Sequence, residues 1–182
     1  MKTVNFSKPF YLISDTHYYH TKLFFEFGLR KEFKTTEEVN ALMFKNWNDT
    51  VSDDDYVIFL GDFVCGTQEH GLDKYKTAQV IYDGLNGKKI FFKGSHDNGL
   101  KRFTNIPVIE DSLEIIYKDT KILLSHKPIL NFTQNISIHG HIHRNSPFHY
   151  KQNCFNVSCE VVNYTPVNID TILKLYQIEI IN

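Results

Sequence analysis

The stretch Phe91–Asn98 reads FFKGSHDN, an apolar run that halts at Gly94 and then delivers Ser95, His96 and Asp97 in succession. A short apolar run bounded by glycine describes a buried strand, and chemically capable residues directly after it describe a loop at the strand's end. The same pattern occurs twice upstream. Phe10–Ser14 (FYLIS) runs into Asp15 and His17, and Tyr56–Leu60 (YVIFL) runs into Gly61 and Asp62. Two helical stretches separate these strands. Thr35 and Glu38 have the spacing of a capping box, after which Val39, Leu42, Met43 and Trp47 recur near the helical period up to about Thr50. A looser stripe of Tyr75, Ala78, Val80, Ile81 and Leu85 covers Leu72–Leu85 and stops at the Asn-Gly turn of LNGKK. Strand, helix, strand, helix, strand is the order of parallel βαβ units.

The second half changes character. Leu113–Tyr117, Lys121–Ser125, Asn135–His139, Cys154–Ser158 and Thr171–Ile180 read as strands with little helix between them, and Asp119-Thr120 fits a short hairpin. The sum predicts two sheets packed face to face with helices outside, in one domain over residues 1–182, without repeats or linkers. A chain of 182 residues can bury a sizeable core without disulfides or a structural metal.

Composition excludes several classes. With 42% hydrophobic and 23% charged residues, the chain falls among folded soluble proteins and away from disordered or membrane chains. No apolar run approaches the roughly 18 residues of a membrane span and the N-terminus lacks a signal-peptide stretch, so a cytoplasmic location with no membrane partner is expected. Cys65, Cys154 and Cys159 lack CxxC spacing and are expected as reduced, mostly buried thiols. Twenty Lys and Arg against 21 Asp and Glu give a net charge of -1, so nucleic-acid binding is possible but not indicated. It would need a local patch such as Lys88, Lys89, Lys93, Lys101 and Arg102, which reads equally as solvated strand ends.

The strand ends together supply Asp15-x-His17, Gly61-Asp62, Gly94-Ser95-His96-Asp97, Ser125-His126 and Gly140-His141-Ile142-His143. Carboxylate and imidazole suit borderline divalent metals, and glycine permits the tight turns and close backbone approach that such loops need. A lone Asp-x-His is ordinarily surface or helix-capping chemistry, and a lone His-x-His is a ligand pair in a minority of cases. Five pieces, each after an apolar run, are hard to obtain by chance.

In this order the motifs resemble the calcineurin-like metallophosphoesterase superfamily, whose pattern is D-x-H, G-D, G-N-H-[DE], H and G-H-x-H. The match runs from Phe10 to His143, and DTHYYH, LNGKK and NVSCEVVNYTPVNID are similar to a subgroup of small, single-domain members. The resemblance implies an α/β fold, a four-layer α/β/β/α sandwich of two mixed sheets flanked by helices, with a dinuclear centre at the strands' C-terminal ends. It implies Asp15, His17 and His143 on the first metal, His126 and His141 on the second, Asp62 bridging both, and His96 as the catalytic group close to the scissile phosphate. Two divalent ions (Mn, Zn, Fe, Co or Ni) would lower the pKa of a shared water and clamp the phosphate oxygens, and a protonated imidazole can stabilise charge or protonate the leaving oxygen. The expected function is a metal-dependent phosphoesterase, acting on a nucleotide-type or other small phosphodiester. The alternatives are a nuclease and a non-catalytic metal-binding interaction module of the same fold.

Two positions depart from the pattern. Ser95 stands where the family has Asn, and its shorter, neutral hydroxyl is expected to ligate the second metal weakly or through water. Cys65 stands where the protein-phosphatase branch has the Asp of GDxxDRG that orients the catalytic histidine. This argues against a protein phosphatase and leaves His96 to find another partner, Asp97 or a backbone carbonyl. Two further candidates touch substrate in this reading. His20 follows His17 by three residues, against a surface reading, and Arg30 is a phosphate clamp through its guanidinium, against an ordinary surface arginine. His139 reads as structural, and His70 and His149 as surface. Tyr18, Tyr19, Phe24, Phe25 and Phe27 are dense enough to be core, although aromatics there could flank a base.

Overall fold

The computed structural model describes residues 3–151 and 153–181, and among these the side chains of all but residues 24, 25 and 178–181. The first half contains β1 (Thr3–Asn5), β2 (Phe10–Ile13), α1 (Lys22–Phe25), α2 (Thr36–Thr50), β3 (Tyr56–Phe59), α3 (Lys74–Gly84), β4 (Lys88–Phe92), α4 (Leu100–Phe103) and β5 (Val108–Ile109). The second contains β6 (Leu113–Tyr117), β7 (Thr120–Ser125), β8 (Ile136–His139), β9 (His149–Tyr150), β10 (Cys154–Asn156), β11 (Val167–Asn168) and α5 (Ile169–Ile181).

One sheet has the order β11-β2-β3-β4-β5, with β2 to β5 mutually parallel. Its strands are apolar on both faces because both are covered. Ile13, Val57, Phe59 and Phe91 face α2 and α3, where Val39, Met43, Trp47 and Ala78 pack on them. Phe10, Leu12, Ile58, Leu60 and Phe92 face the other sheet and meet Ile115, Ile122, Leu124, Ile138 and Phe155. Half of the capping box forms, with Glu38 N donating to Thr35 Oγ1 at 3.2 Å, while the Glu38 carboxylate accepts from Lys34 N, one residue before the cap, at 2.7 Å. Asp73 caps α3 by accepting from Tyr75 N and Lys76 N.

The other sheet has the order β1-β6-β7-β8-β10-β9 and mixes antiparallel β6–β7 and β9–β10 pairs with parallel β7–β8 and β8–β10 pairs. The chain is thus the expected α/β sandwich of two mixed sheets with helices.

Register places the functional loops. Ile13 pairs with Phe59 and Phe59 with Phe91, so three strands end at one edge and release their loops side by side. In the second sheet Ser125 pairs with His139, which sets His126 beside Gly140 and His141. The two edges are joined: Ser14 bridges Ser158, with Ser14 N donating to Val157 O at 3.0 Å and Cys159 N to Ser14 O at 2.9 Å.

Several expectations are corrected. Residues 171–180 are helical, within α5. Ile169, Ile172, Leu173 and Tyr176 recur at i, i+3, i+4 and i+7, and this period outweighs the β-branched content. The hairpin turn is Lys118-Asp119, one residue earlier than expected, with φ of 47° and 60°, because Thr120 already pairs with Tyr117. Within the basic patch, Lys88 meets Asp54 at 3.1 Å, and Lys93 and Lys101 share Glu110 at 3.0 and 4.0 Å. The thiols are free and mostly buried, as expected: Cys154 and Cys159 are buried and Cys65 is half-buried. Tyr18 is core, Phe27 is 61% exposed, and the side chains of Phe24 and Phe25 lie outside those described. His70 is half-buried with Nε2 at 3.1 Å from Thr21 Oγ1, and the His149 ring stacks on Phe155. Among the described residues no helix is long and apolar enough to cross a membrane.

Candidate metal centre

Asp15, His17, Asp62, His141 and His143 all have positive φ, between 43° and 72°. Such a backbone costs a non-glycine residue of order 1–3 kcal/mol and persists only where surroundings impose it. Here they do. Asp15 N donates to Gly61 O at 2.9 Å and His17 N to Asp62 O at 3.0 Å, locking the first loop onto the second. The buried Asp97 carboxylate accepts from Asp62 N at 2.7 Å, Phe63 N at 3.0 Å and Gly94 N at 2.8 Å, locking the second onto the third. Glycine is required at this junction: a Cβ on Gly94 would stand 2.2 Å from Asp62 N, and one on Gly140 would stand 2.3 Å from Asp15 Oδ2.

These constraints aim the side chains inward. Asp15 Oδ2 accepts from Ser14 Oγ at 2.6 Å, His141 N at 2.8 Å and Ser158 Oγ at 3.0 Å, while its buried Oδ1 has no hydrogen-bond partner among the described residues. That orphan oxygen is 3.9 Å from His17 Nε2, itself without a hydrogen bond. One donor atom from each of Asp15, His17 and His143 lies within 4.8 Å of the other two, and the same holds for Asp62, His126 and His141. Asp62 Oδ2 stands between the sets, 3.4 Å from both His17 Nε2 and His126 Nε2. Its Oδ1 accepts from His96 N at 2.7 Å.

Protein acceptors fix two of the rings. His126 Nδ1 is 2.8 Å from Leu60 O, and His143 Nδ1 is 2.9 Å from Glu160 Oε2, so each directs Nε2 toward the cluster. His126 Nε2 faces His141 Nδ1 at 3.2 Å. Buried carboxylate and imidazole atoms turned on one another without enough hydrogens to pair them are a donor set for a divalent cation, and the residues fit one.

The protonation balance has the same origin. Burial raises Asp15 above its ordinary value against the pull of His143 and His126. Burial drives His17 well down, with Asp62 opposing. At Asp62 burial is overcome by His126 and His17, which hold the carboxyl below the carboxylate range. At His143 burial is overcome by Glu160, which raises the imidazole.

Ser95 lies at the second set, its N 3.3 Å and its Oγ 3.5 Å from His126 Nε2. His96 is exposed, with its ring centroid 5.2 Å from that of His17. Its Nδ1 partner is Cys65 Sγ at 3.5 Å, where Asp97 or a carbonyl was expected; Asp97 is committed to backbone amides instead. His20 joins the group, its ring centroid 5.3 Å from that of His17 and 5.8 Å from that of His96. Burial, then His96, lowers His20 to about 4.

Arg30 does not reach a substrate. It is fully buried beneath the first set, its Nε donating to Glu160 Oε1 at 2.8 Å and its Nη2 to Asp15 O at 3.0 Å. Its role as a phosphate clamp is therefore withdrawn. Glu160 links Arg30 to His143 and was missed by the sequence reading, as were the serines that hold Asp15. The only signal was a strand end, Ser158-Cys159-Glu160, lacking the glycine or histidine that marked the others.

Fold and site together define an α/β sandwich with two carboxylate–imidazole donor sets suited to divalent cations. No family profile matches the chain. It belongs to the family of the Methanocaldococcus jannaschii "Uncharacterized protein MJ1445", to which it is 37% identical over 178 residues, 93% of this chain and 92% of that one. The protein of unknown function AQ665 from Aquifex aeolicus shares the fold, with a TM-score of 0.68 at 24% identity over 93% of this chain and 100% of that one. A more distant likeness is to the Pseudomonas putida nuclease MPE, with a TM-score of 0.46 and 18% identity over 72% and 60% of the two chains.

Proposed function

We propose that the chain is a single-domain, metal-dependent phosphoesterase that hydrolyses a small phosphodiester, of nucleotide type or similar, at a dinuclear centre. The observation that carries this reading is the shared carboxylate, Asp62 Oδ2, equidistant at 3.4 Å from a nitrogen of each donor set. Asp15, His17 and His143 would hold one cation and His126 and His141 the other, with Asp62 common to both and Ser95 contributing weakly or through water to the second. Two divalent cations (Mn, Zn, Fe, Co or Ni) supply a hydroxide from water near neutral pH and neutralise phosphate oxygens.

The chain's own groups position and protonate. Donation of His96 N to Asp62 Oδ1 ties the backbone of the exposed imidazole to the shared carboxylate. From there Nε2 of the ring can hydrogen-bond a phosphate oxygen or protonate the leaving oxygen, with Cys65 Sγ at its Nδ1. His20 lies beside it as a further substrate contact. A polynucleotide is a poorer substrate in this reading, because a net charge of -1 supplies no general basic field and Lys88 and Lys93 have acidic neighbours in Asp54 and Glu110.

Hydrolysis of bis-p-nitrophenyl phosphate and of the monoester is the test, using chelated protein and protein loaded with Mn, Zn, Co or Ni. Turnover of the diester by loaded protein alone is expected, and absence of turnover of either ester with every metal would sink the proposal. His96→Ala should keep its metals and lose about 100- to 10,000-fold in rate. Full metal content without turnover in the wild type would favour the interaction module.

A further inference from the structure

Two of the four ligand histidines, His17 and His141, have no carboxylate or carbonyl hydrogen-bonded to a ring nitrogen among the described residues, and His141 Nδ1 at least faces His126 Nε2 at 3.2 Å. His126 and His143 each have a ring nitrogen held by a protein acceptor, whereas His17, only 2% exposed, has neither nitrogen hydrogen-bonded. A metal-bound histidine ordinarily gives its second N–H to a carboxylate, a carbonyl or water. Nε2 of His17 is the atom near Asp15 and Asp62, which leaves Nδ1 buried with nothing to do. Close by, His20 Nδ1 is also buried and has no hydrogen-bond partner among the described residues. Cys65 completes the group: one donor atom from each of His17, His20 and Cys65 lies within 4.8 Å of the other two.

Local structure builds this cluster from two loops. His20 N donates to His17 O at 3.1 Å, a turn that brings the two imidazoles onto one side. Cys65 N donates to Tyr18 O at 3.0 Å and fastens the loop after β3 against that turn. The approach is close enough that a Cβ on Gly66, whose φ is 75°, would stand 2.5 Å from Tyr19 O.

We propose that His17, His20 and Cys65 form a third metal position, adjoining the dinuclear centre through His17, which takes a thiophilic cation such as Zn²⁺ and rejects Mn²⁺ and Mg²⁺. Binding releases the Cys65 thiol proton to solvent and, when the first donor set is also filled, the remaining His17 ring proton, so that the imidazole bridges as imidazolate. A thiolate with imidazoles favours zinc or cobalt, whereas manganese and magnesium prefer oxygen. Three protein ligands with one open position is a coordination that zinc adopts readily. The inference goes beyond the phosphoesterase reading and is read without turnover.

Cys65 is the half-buried thiol and Cys154 and Cys159 are buried, so a thiol reagent applied to the folded, metal-free protein reports on Cys65. Labelling should be lost on addition of Zn²⁺ and retained with Mn²⁺ at the same concentration. Titration with Co²⁺ should develop a thiolate-to-cobalt charge-transfer band. Cys65→Ser should lack that band and bind one zinc ion fewer than the wild type, and His20→Ala should lose the zinc protection of the thiol. Circular dichroism checks that both variants fold. Labelling indifferent to Zn²⁺, a band that survives in Cys65→Ser, or equal zinc stoichiometry in the two proteins would overturn the proposal. Diester turnover with these results negative removes the third position alone, and a positive thiolate band without turnover removes the phosphoesterase reading alone.

Discussion

Glu160 supports the first donor set from below, and its replacement separates two roles by measurement. Its carboxylate is wholly buried, accepts from Arg30 Nε at 2.8 Å and holds His143 Nδ1 at 2.9 Å. In Glu160→Ala the guanidinium stays buried without its counter-charge, and breaking a buried pair this way costs about 3–5 kcal/mol. That is a large part of the roughly 5–15 kcal/mol that holds a domain together. Replacing both Arg30 and Glu160 by Met removes the unpaired charge and should recover much of the loss, since apolar substitutes for buried pairs are often neutral. Metal affinity should not recover in the double variant. His143 has still lost the acceptor that orients it, an effect worth about 10- to 100-fold. Urea denaturation of metal-free protein, followed by the fluorescence of the single tryptophan, Trp47, reads the first quantity, and calorimetric titration reads the second. A Glu160→Ala variant within about 1 kcal/mol of wild type, or a double variant with full metal affinity, would refute the reasoning. The sign with pH follows. Burial would raise this carboxyl, but Arg30 and His143 hold it below the carboxylate range, so the folded value lies under the unfolded one. Its stabilisation is present above the unfolded pKa of about 4.3 and lost as pH falls through the folded value, so metal-free wild type should weaken more steeply in acid than Glu160→Gln.

Ser95→Asn should tighten the second cation in a competition titration, because the longer amide oxygen reaches further than a hydroxyl 3.5 Å from His126 Nε2; an unchanged curve would show that Ser95 already completes the site. Gly94→Ala should lose metal binding, since its Cβ would collide with Asp62 N and Oδ1, and retained affinity would mean that the loop yields without moving Asp62. Asp97→Asn turns an amide N–H₂ toward backbone donors and should cost about 1–3 kcal/mol in denaturation experiments for the amide left unsatisfied, with a smaller loss indicating that the three loops hold without their clamp.

The ligand candidates were legible because each follows an apolar run, and parallel pairing in register converts separate strand ends into one edge. That rule gathers Asp15 and Asp62 on one sheet and His126 and His141 on the other, and the Ser14–Ser158 bridge brings the two groups together. The helix α5 was masked by its isoleucines, which read as strand, although Ile169, Ile172, Leu173 and Tyr176 keep the helical period that their packing on the core then uses. The fate of Arg30 was not legible either. Nothing local distinguishes a guanidinium aimed at solvent from one that passes under the site to Glu160, 130 positions later.

Around Phe91–Asn98 the division is the same. Locally the chain dictates a strand that ends in a polar loop, because an apolar run and the glycine that halts it act on their own neighbours. Which atom each polar residue faces depended on contacts between segments far apart in sequence. Asp97 fastens loops rather than serving His96, Cys65 meets His96, and Ser95 stands at His126. Only the tertiary structure decides such contacts, because the backbone donors and imidazole nitrogens that compete for each side chain are assembled when the two sheets close on one another.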